Sequence, residues 1–159
     1  MLGRLSRWLR MLGCDIKYYS DASDDILLSI AADEDCVLLT SDAELFQRAC
    51  GRGLKSLFVE GGSEVERLAS VARRFNIRLE VDMSISRCPT CGSTLHSREK
   101  ETILEKIPSG TLRHYNEFWV CDGCRKIYWQ GAHWKKINET LNKAKMLLET
   151  GTHSAYEAR

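Results

Sequence analysis

The sequence lacks the features that would place a protein in a membrane or send it out of the cell. None of its apolar runs approaches the about 20 residues that a membrane-spanning helix needs. The first apolar stretch is interrupted by Arg4, Arg7 and Arg10, so it does not have the pattern of a signal peptide. We therefore expect a cytoplasmic protein that has no membrane partner.

Internal repeats, low-complexity segments and a large excess of one charge are also missing. Of the 159 residues, 43% are hydrophobic and 28% are charged, which allows a core and excludes an intrinsically disordered chain. The formal net charge is only +1, but residues 1–83 hold 11 Lys/Arg and 14 Asp/Glu, whereas residues 84–159 hold 12 and 8. An acidic half joined to a basic half indicates that the two halves have different functions. The alternative is that this charge difference arose by chance.

Helix signals recur through the first half of the sequence. Apolar residues at helical spacing predict one helix that ends at Gly13 and others that begin at Ser23, at Ser41-Asp42 and at Ser63. Ser63 and Glu66 also fit a capping box, in which each residue bonds the backbone of the other.

Strand signals alternate with these helices. Strands are predicted at Asp15–Ser20, Cys36–Thr40 and Ser56–Val59, and the run Cys36–Thr40 is apolar enough to be buried on both faces. Residues 77–85 alternate between apolar and polar side chains, which predicts a further, half-buried strand. This order of elements predicts an α/β fold with a parallel sheet that is flanked by helices.

The character of the sequence changes near Ile85–Arg87, where we expect a domain boundary. Residues 1–85 would form the α/β domain, and residues 86–159 a smaller unit with few helical signals before Trp134. From Trp134 to Leu148, apolar residues recur at steps of three and four, which predicts an amphipathic helix that ends at Gly151 before a frayed tail. Its apolar stripe can pack inside the molecule or against a second copy, so a homodimer stays open.

Four of the seven cysteines form two tight pairs, Cys88/Cys91 and Cys121/Cys124. Two C-x-x-C turns are typical of a zinc ribbon, in which four thiolates bind one structural Zn²⁺ and leave no open coordination position. The 29 residues between the pairs predict an extended β-hairpin. We expect Cys14, Cys36 and Cys50 to fill the core, since an odd count without a signal peptide argues against disulfides.

Acidic residues of the first half are candidates for a second metal site. Asp42 follows the strand predicted at Cys36–Thr40, and Asp24 begins a helix that could approach the same edge of the sheet. Carboxylates gathered there can hold Mg²⁺ or Mn²⁺, which activates water and neutralises charge on a phosphodiester. The alternative is that both residues are only helix N-caps.

Aromatic and basic residues are interleaved near the second cysteine pair. Trp129 and His133 lie among the cations Arg125, Lys126 and Lys135, a mixture that suits RNA because rings stack on bases and cations meet phosphates. The alternatives are that the rings form the core of the ribbon and that His133 caps the following helix, although a metal-ligand or catalytic role for His133 is also open. Arg4 and Arg7 could contact phosphates too, or form a solvated helix face with Arg10.

Several motifs together resemble one known family. They are four segments, Met1–Gly13, Ser23–Asp25, Val37–Asp42 and Tyr128–Trp134, together with the two cysteine pairs. In this order they resemble the Mut-seven C-terminal RNase family over roughly residues 1–148, a family in which a PIN-like nuclease domain is fused to a zinc ribbon.

The resemblance implies a metal-dependent ribonuclease. Asp24 and Asp42 match the acidic positions of the family, and Glu64 and Glu66 are candidates for a further acid. Family members usually carry a short strand ending in Asp just before the opening segment. We therefore expect either that the sequence begins too late to include that strand and its carboxylate, or that the protein lacks them.

Taken with this resemblance, the motifs predict a protein that cleaves RNA through an acidic Mg²⁺ or Mn²⁺ site, with a zinc ribbon that aids RNA binding. The alternative is a non-catalytic module that binds RNA, for example as part of a ribosome-associated assembly, through a degenerate PIN-like domain. A third reading is a protein-interaction adaptor that docks through the ribbon and the terminal helix.

Overall fold

The structure is a computed structural model that describes residues 2–150. Its first half contains four α-helices and a two-stranded parallel sheet. The helices are α1 (Gly3–Met11), α2 (Asp24–Asp33), α3 (Ala43–Gly51) and α4 (Glu64–Phe75); the strands are β1 (Leu38–Thr40) and β2 (Ser56–Phe58). Leu38 pairs with Ser56 and Thr40 with Phe58, in parallel register. The prediction of a mixed α/β unit with a parallel sheet is confirmed in this small form.

Local sequence signals explain where these helices begin and end. Ser63 Oγ accepts a hydrogen bond from Glu66 N–H at 3.2 Å, and Glu66 Oε2 accepts one from Ser63 N–H at 2.6 Å, so the predicted capping box of α4 is confirmed. Asp42 caps α3. Gly13, with φ +88°, takes the left-handed conformation that ends α1.

The second half begins with a three-stranded antiparallel sheet made of β3 (Leu95–Arg98), β4 (Phe118–Cys121) and β5 (Ile127–Tyr128). Two 3-10 turns and the helix α5 (Ser109–His114) lie between β3 and β4. The cysteine pairs are thus connected by an antiparallel strand pair, as a hairpin requires, but helical turns fill the connection, although the sequence gives few helical signals before Trp134. Ile103 and Ile107 of this insertion pack with Phe118 in a small core of their own, which gives the insertion a reason to fold.

The last helix, α6 (His133–Thr150), packs against α4. Leu141 and Ala144 are buried in the same core as Leu68 and Ala72, and Ile137 packs against it. The predicted amphipathic helix is confirmed, and its apolar stripe packs inside the molecule. The predicted end at Gly151 and the tail beyond it lie outside the described residues.

Two predicted strands are wrong. Residues 15–20 form no strand, and residues 77–85 are irregular, with a bend at 79–80 and a turn at 83–85. Ile77, Leu79 and Val81 nevertheless pack against the main core, whereas Ile85 is 59% exposed, so the alternation predicted burial correctly only in the earlier part of the segment. The alternation of side chains does not predict backbone hydrogen bonding to a neighbouring strand, which a strand also needs.

The prediction that all three isolated cysteines fill the core is also wrong. Cys36 and Cys50 are exposed, and Cys14 is half-buried. Cys36 and Val37 fall before β1 rather than in it, and Val37 is 38% exposed, so the strand at Cys36–Thr40 is shorter and less buried than predicted.

The domain boundary near Ile85–Arg87 stays a prediction. The hydroxyl of Ser86 donates to Met11 O at 2.6 Å, so the chain at this point is bonded to the end of α1. In residues 2–150, none of the helices combines the length and apolar character that crossing a membrane requires.

Candidate functional site

The four paired cysteines come together at one point. Their sulfur atoms all lie within 4.8 Å of one another, with Cys88 Sγ 3.6 Å from Cys124 Sγ and Cys91 Sγ 3.4 Å from Cys121 Sγ. A tetrahedral Zn²⁺ with Zn–S bonds of about 2.3 Å separates its sulfurs by about 3.8 Å. The observed distances fit such a centre, so the four cysteines could hold a metal such as zinc.

Neighbouring polar groups prepare two of these thiols to ionise. The hydroxyl of Ser93, with Oγ 3.4 Å from Cys91 Sγ, is the main reason that the pKa of Cys91 falls to about 6. Burial by itself raises the pKa of Cys88, but the Tyr128 hydroxyl at 3.1 Å and nearby backbone N–H groups outweigh it and lower the pKa. Burial raises the pKa of Cys121, so this thiol has to lose its proton when a metal binds.

Gly123 allows the two cysteine turns to approach each other closely. A Cβ atom at this position would lie 2.3 Å from Ser93 Oγ and 3.3 Å from Cys91 Sγ. A larger side chain would therefore displace the hydroxyl that stabilises the Cys91 thiolate.

Arg10 is a site residue that the sequence analysis did not identify. It was grouped with Arg4 and Arg7 on a solvated face, but its side chain is buried, and the guanidinium NH1 donates to Thr90 O at 3.2 Å inside the first cysteine turn. The spacing of the three arginines gives no signal that separates Arg10 from the other two, which are exposed.

The structure places Asp24 and Asp42 in separate local contacts. Asp24 Oδ2 pairs with Arg48 NH1 at 3.1 Å. Asp42 Oδ1 accepts from the backbone N–H groups of Glu44 and Leu45, at 2.8 and 3.0 Å, as an N-cap. In residues 2–150, the four cysteines are the one group of three or more His, Cys, Asp or Glu side chains close enough to hold an ion. Asp24 and Asp42 therefore do not make a complete metal site with the described residues.

The two glutamates proposed as further acids are engaged elsewhere. Glu64 accepts a hydrogen bond from the indole of Trp8, and its Oε2 lies 3.9 Å from Arg4 NH1. Glu66 closes the capping box of α4.

A cavity of about 730 Å³ lies beside β1. It is bounded by one face of α1, the irregular segment 14–19, parts of α2 and α4, and β1 itself. Most of its lining is apolar, with Leu9, Ile16 and Leu39 among its walls, and Asp42 contributes to the lining beyond the carboxyl end of β1.

The residues proposed to contact RNA are at the surface. Arg125 and Lys126 are exposed beside the second cysteine turn, and Lys126 Nζ lies 3.3 Å from Thr90 Oγ1 in the first. Trp129 is 36% exposed, and its ring centroid lies 6.3 Å from that of the buried Phe118. His133 and Lys135 are exposed in the first turn of α6, and the metal-capable group consists of the four cysteines without His133.

These features define a mixed α/β protein that carries a four-cysteine cluster able to bind a metal. The model of one family, described as the Mut7-C RNAse domain, matches residues 1–141, and the chain belongs to this family. No curated protein and no solved structure matches the chain. The family description connects the chain with a nuclease or another RNA-related role.

Proposed function

We propose that this protein is a metal-dependent ribonuclease whose α/β unit is PIN-like. The observation that carries the proposal is the family match over residues 1–141. The position of Asp42 supports it, because this carboxylate follows the carboxyl end of the parallel strand β1 and lines the cavity beside it. Ligands of parallel α/β sheets bind at that end of the strands.

The free edge of β1 supports the PIN-like assignment. Leu38 N–H donates to Lys55 O at 2.9 Å, and Val59 N–H donates to Thr40 O at 2.7 Å, so Leu38 and Thr40 bond toward β2. In a parallel ladder the residue between them, Leu39, directs its N–H and C=O to the opposite edge. The cavity is lined both by β1 and by residues 14–19, and we infer that a further parallel strand would occupy the space between them.

A further strand in this position would bring its own carboxyl end toward Asp42. In the part of the chain that the structure describes, no donor bonds Asp42 Oδ2, so this oxygen is available to a ligand. A divalent ion held there would supply activated water and neutralise phosphodiester charge. Asp24 would have to exchange its pairing with Arg48 for such a ligand, which makes Arg48 a competitor for the site.

Cleavage of a mixed structured RNA in Mn²⁺ tests the nuclease. We compare the unaltered chain, Asp42→Asn, the matched control Asp33→Asn at the exposed end of α2, and a version extended upstream. Asparagine caps a helix about as well as aspartate, so Asp42→Asn retains the cap of α3. Cleavage that Asp42→Asn abolishes and Asp33→Asn preserves supports the proposal. Activity of the extended version alone would indicate that the further strand supplies an essential acid.

A structural zinc ion in the cysteine cluster is the second part of the proposal. The cluster would act as a zinc ribbon that presents Arg125, Lys126 and Trp129 to RNA. Metal analysis of purified protein should give one zinc per chain, and Cys121→Ser should lose it. Cys36→Ser, which alters an exposed cysteine outside the cluster, should retain it.

A non-catalytic RNA-binding module is the second candidate function. The engagement of Asp24 by Arg48 and of Asp42 by the α3 backbone favours it. In the same experiment, RNA binding without cleavage by any of the four proteins, the extended version included, would support this candidate and contradict the nuclease.

A further inference from the structure

Arg10 joins the end of α1 to the first cysteine turn. The side chain is 6% exposed. Its Nε donates to Ile16 O at 3.0 Å, and its NH1 lies 3.2 Å from Thr90 O and 3.4 Å from Pro89 O. Pro89 and Thr90 are the two residues between Cys88 and Cys91, so the guanidinium binds the backbone of the turn that carries two of the four sulfurs.

In the part of the chain that the structure describes, this buried cation has no acidic partner nearby. In residues 2–150, no carboxylate oxygen lies within 4.0 Å of the Arg10 guanidinium, and Asp15 pairs with Arg87 instead, at 3.7 Å. A buried charge is costly unless an opposite charge or a full set of hydrogen bonds compensates it. Four thiolates around a divalent ion carry a net charge of two negative units, and the turn that binds Arg10 belongs to that centre.

We propose that Arg10 is a positioning residue of the metal centre. It fixes the Cys88–Cys91 turn through its carbonyl groups and compensates the negative charge of the loaded centre. Metal loading then orders the end of α1 and the adjoining residues 14–16, which border the cavity beside β1. This inference rests on the proposed metal binding by the cysteines.

Two further hydrogen bonds join the end of α1 to the residues just before the first cysteine turn. Arg87 N–H donates to Arg10 O at 2.9 Å, and Ser86 Oγ donates to Met11 O at 2.6 Å. Gly92, with φ +83°, ends the turn, and a Cβ there would lie 3.1 Å from Arg10 Nε. The absence of a side chain at Gly92 therefore lets the guanidinium reach the turn.

Zinc release to a chelator tests the proposal on the full chain. Arg10→Met should release zinc about 10-fold faster or more, the usual cost of removing a residue that supports metal ligands. Arg74→Met is the control. Arg74 lies in the last turn of α4, as Arg10 does in the last turn of α1, but Arg74 is exposed, whereas Arg10 is buried against the first cysteine turn. The control should release zinc at the rate of the unaltered chain. An unchanged rate in Arg10→Met would overturn the proposal.

Hydrogen exchange of the unaltered chain gives a test that needs no variant. The amide of Cys14 donates to Leu9 O at 2.9 Å, and the amide of Arg87 donates to Arg10 O. Removing zinc should speed the exchange of both amides, whereas the amide of Leu54, bonded to Ala49 O at 3.0 Å beside α3, should keep its rate. Equal exchange of Cys14 and Arg87 with and without zinc would overturn the coupling. A chain that binds no zinc would instead contradict the metal proposal itself.

Discussion

At the scale of single residues, small groups around the four sulfurs set the chemistry of the cluster. Ser93, two residues after Cys91, stabilises the thiolate of Cys91, and Tyr128 of β5 stabilises that of Cys88. Such contacts orient the ligands as much as they change the pKa values. A substitution next to the sulfurs can therefore weaken metal binding without removing a ligand.

Gly123→Ala tests this point. The added Cβ would force the Ser93 hydroxyl away from Cys91, because the distance to Ser93 Oγ would be only 2.3 Å. We expect metal affinity to fall about 10-fold, measured by chelator competition. Gly110→Ala is the control, since a Cβ there meets nothing within 4 Å. Equal affinities of the two variants would show that Ser93 does not support the cluster.

At the scale of secondary-structure elements, the sequence predicts features that depend on residues close together in the chain. It does not predict which extended segments find a neighbouring strand. The capping box of α4 and the apolar stripe of α6 depend on spacing alone, and both are confirmed. Residues 15–20 have the composition of a strand, but a strand needs a neighbour, and the space between them and β1 is a cavity. The cysteine cluster was predictable because C-x-x-C spacing fixes its own geometry. The contact of Arg10 with that cluster spans about 80 residues of sequence and could not be predicted.

The capping box makes a testable contribution to the stability of α4. Ser63→Ala removes the hydroxyl that accepts from Glu66 N–H, and we expect a loss of about 1 kcal/mol in the free energy of unfolding. Urea denaturation measures it. Ser70→Ala, at an exposed position of the same helix, should change the free energy by less than about 0.5 kcal/mol. A loss in Ser70→Ala as large as that in Ser63→Ala would contradict the assignment.

The same box predicts a pH dependence. The backbone N–H and the hydroxyl of Ser63 lower the pKa of Glu66 below its ordinary value of 4.5. Because the folded pKa is the lower one, this contribution to stability is present above pH 4.5 and is lost as the pH falls through the folded pKa. Glu66→Gln should show a smaller loss of stability on acidification than the unaltered chain. Identical pH profiles would contradict the prediction.

The packing of α6 on α4 is the third prediction at this scale. Leu141 is 1% exposed, and Leu141→Ala should cost about 2–5 kcal/mol in the free energy of unfolding. Met146 is 61% exposed on the same helix, so Met146→Ala should cost less than about 0.5 kcal/mol. Thermal denaturation compares the two. A small effect of Leu141→Ala would mean that α6 does not pack on α4 in solution.

At the scale of the whole molecule, the acidic first half of the chain and the basic second half are in contact through α1 and α6. Arg10 and Ser86 connect the end of α1 to the first cysteine turn, and α6 returns from the cysteine-bearing half to pack on α4. These contacts hold the first cysteine turn against the end of α1.

The affinity for a structured RNA, measured by fluorescence anisotropy at several salt concentrations, tests the RNA-directed role most directly. We compare the unaltered chain with Arg125→Asn/Lys126→Gln, in which asparagine suits the left-handed backbone of Arg125, and with Lys106→Gln/Lys143→Gln, a control of equal charge change. The account predicts salt-dependent binding that weakens in the first variant, with a slope reduced by about 0.7 per lost phosphate contact, and that is unchanged in the control. Absence of RNA binding by the unaltered chain, or equal weakening in both variants, would contradict it.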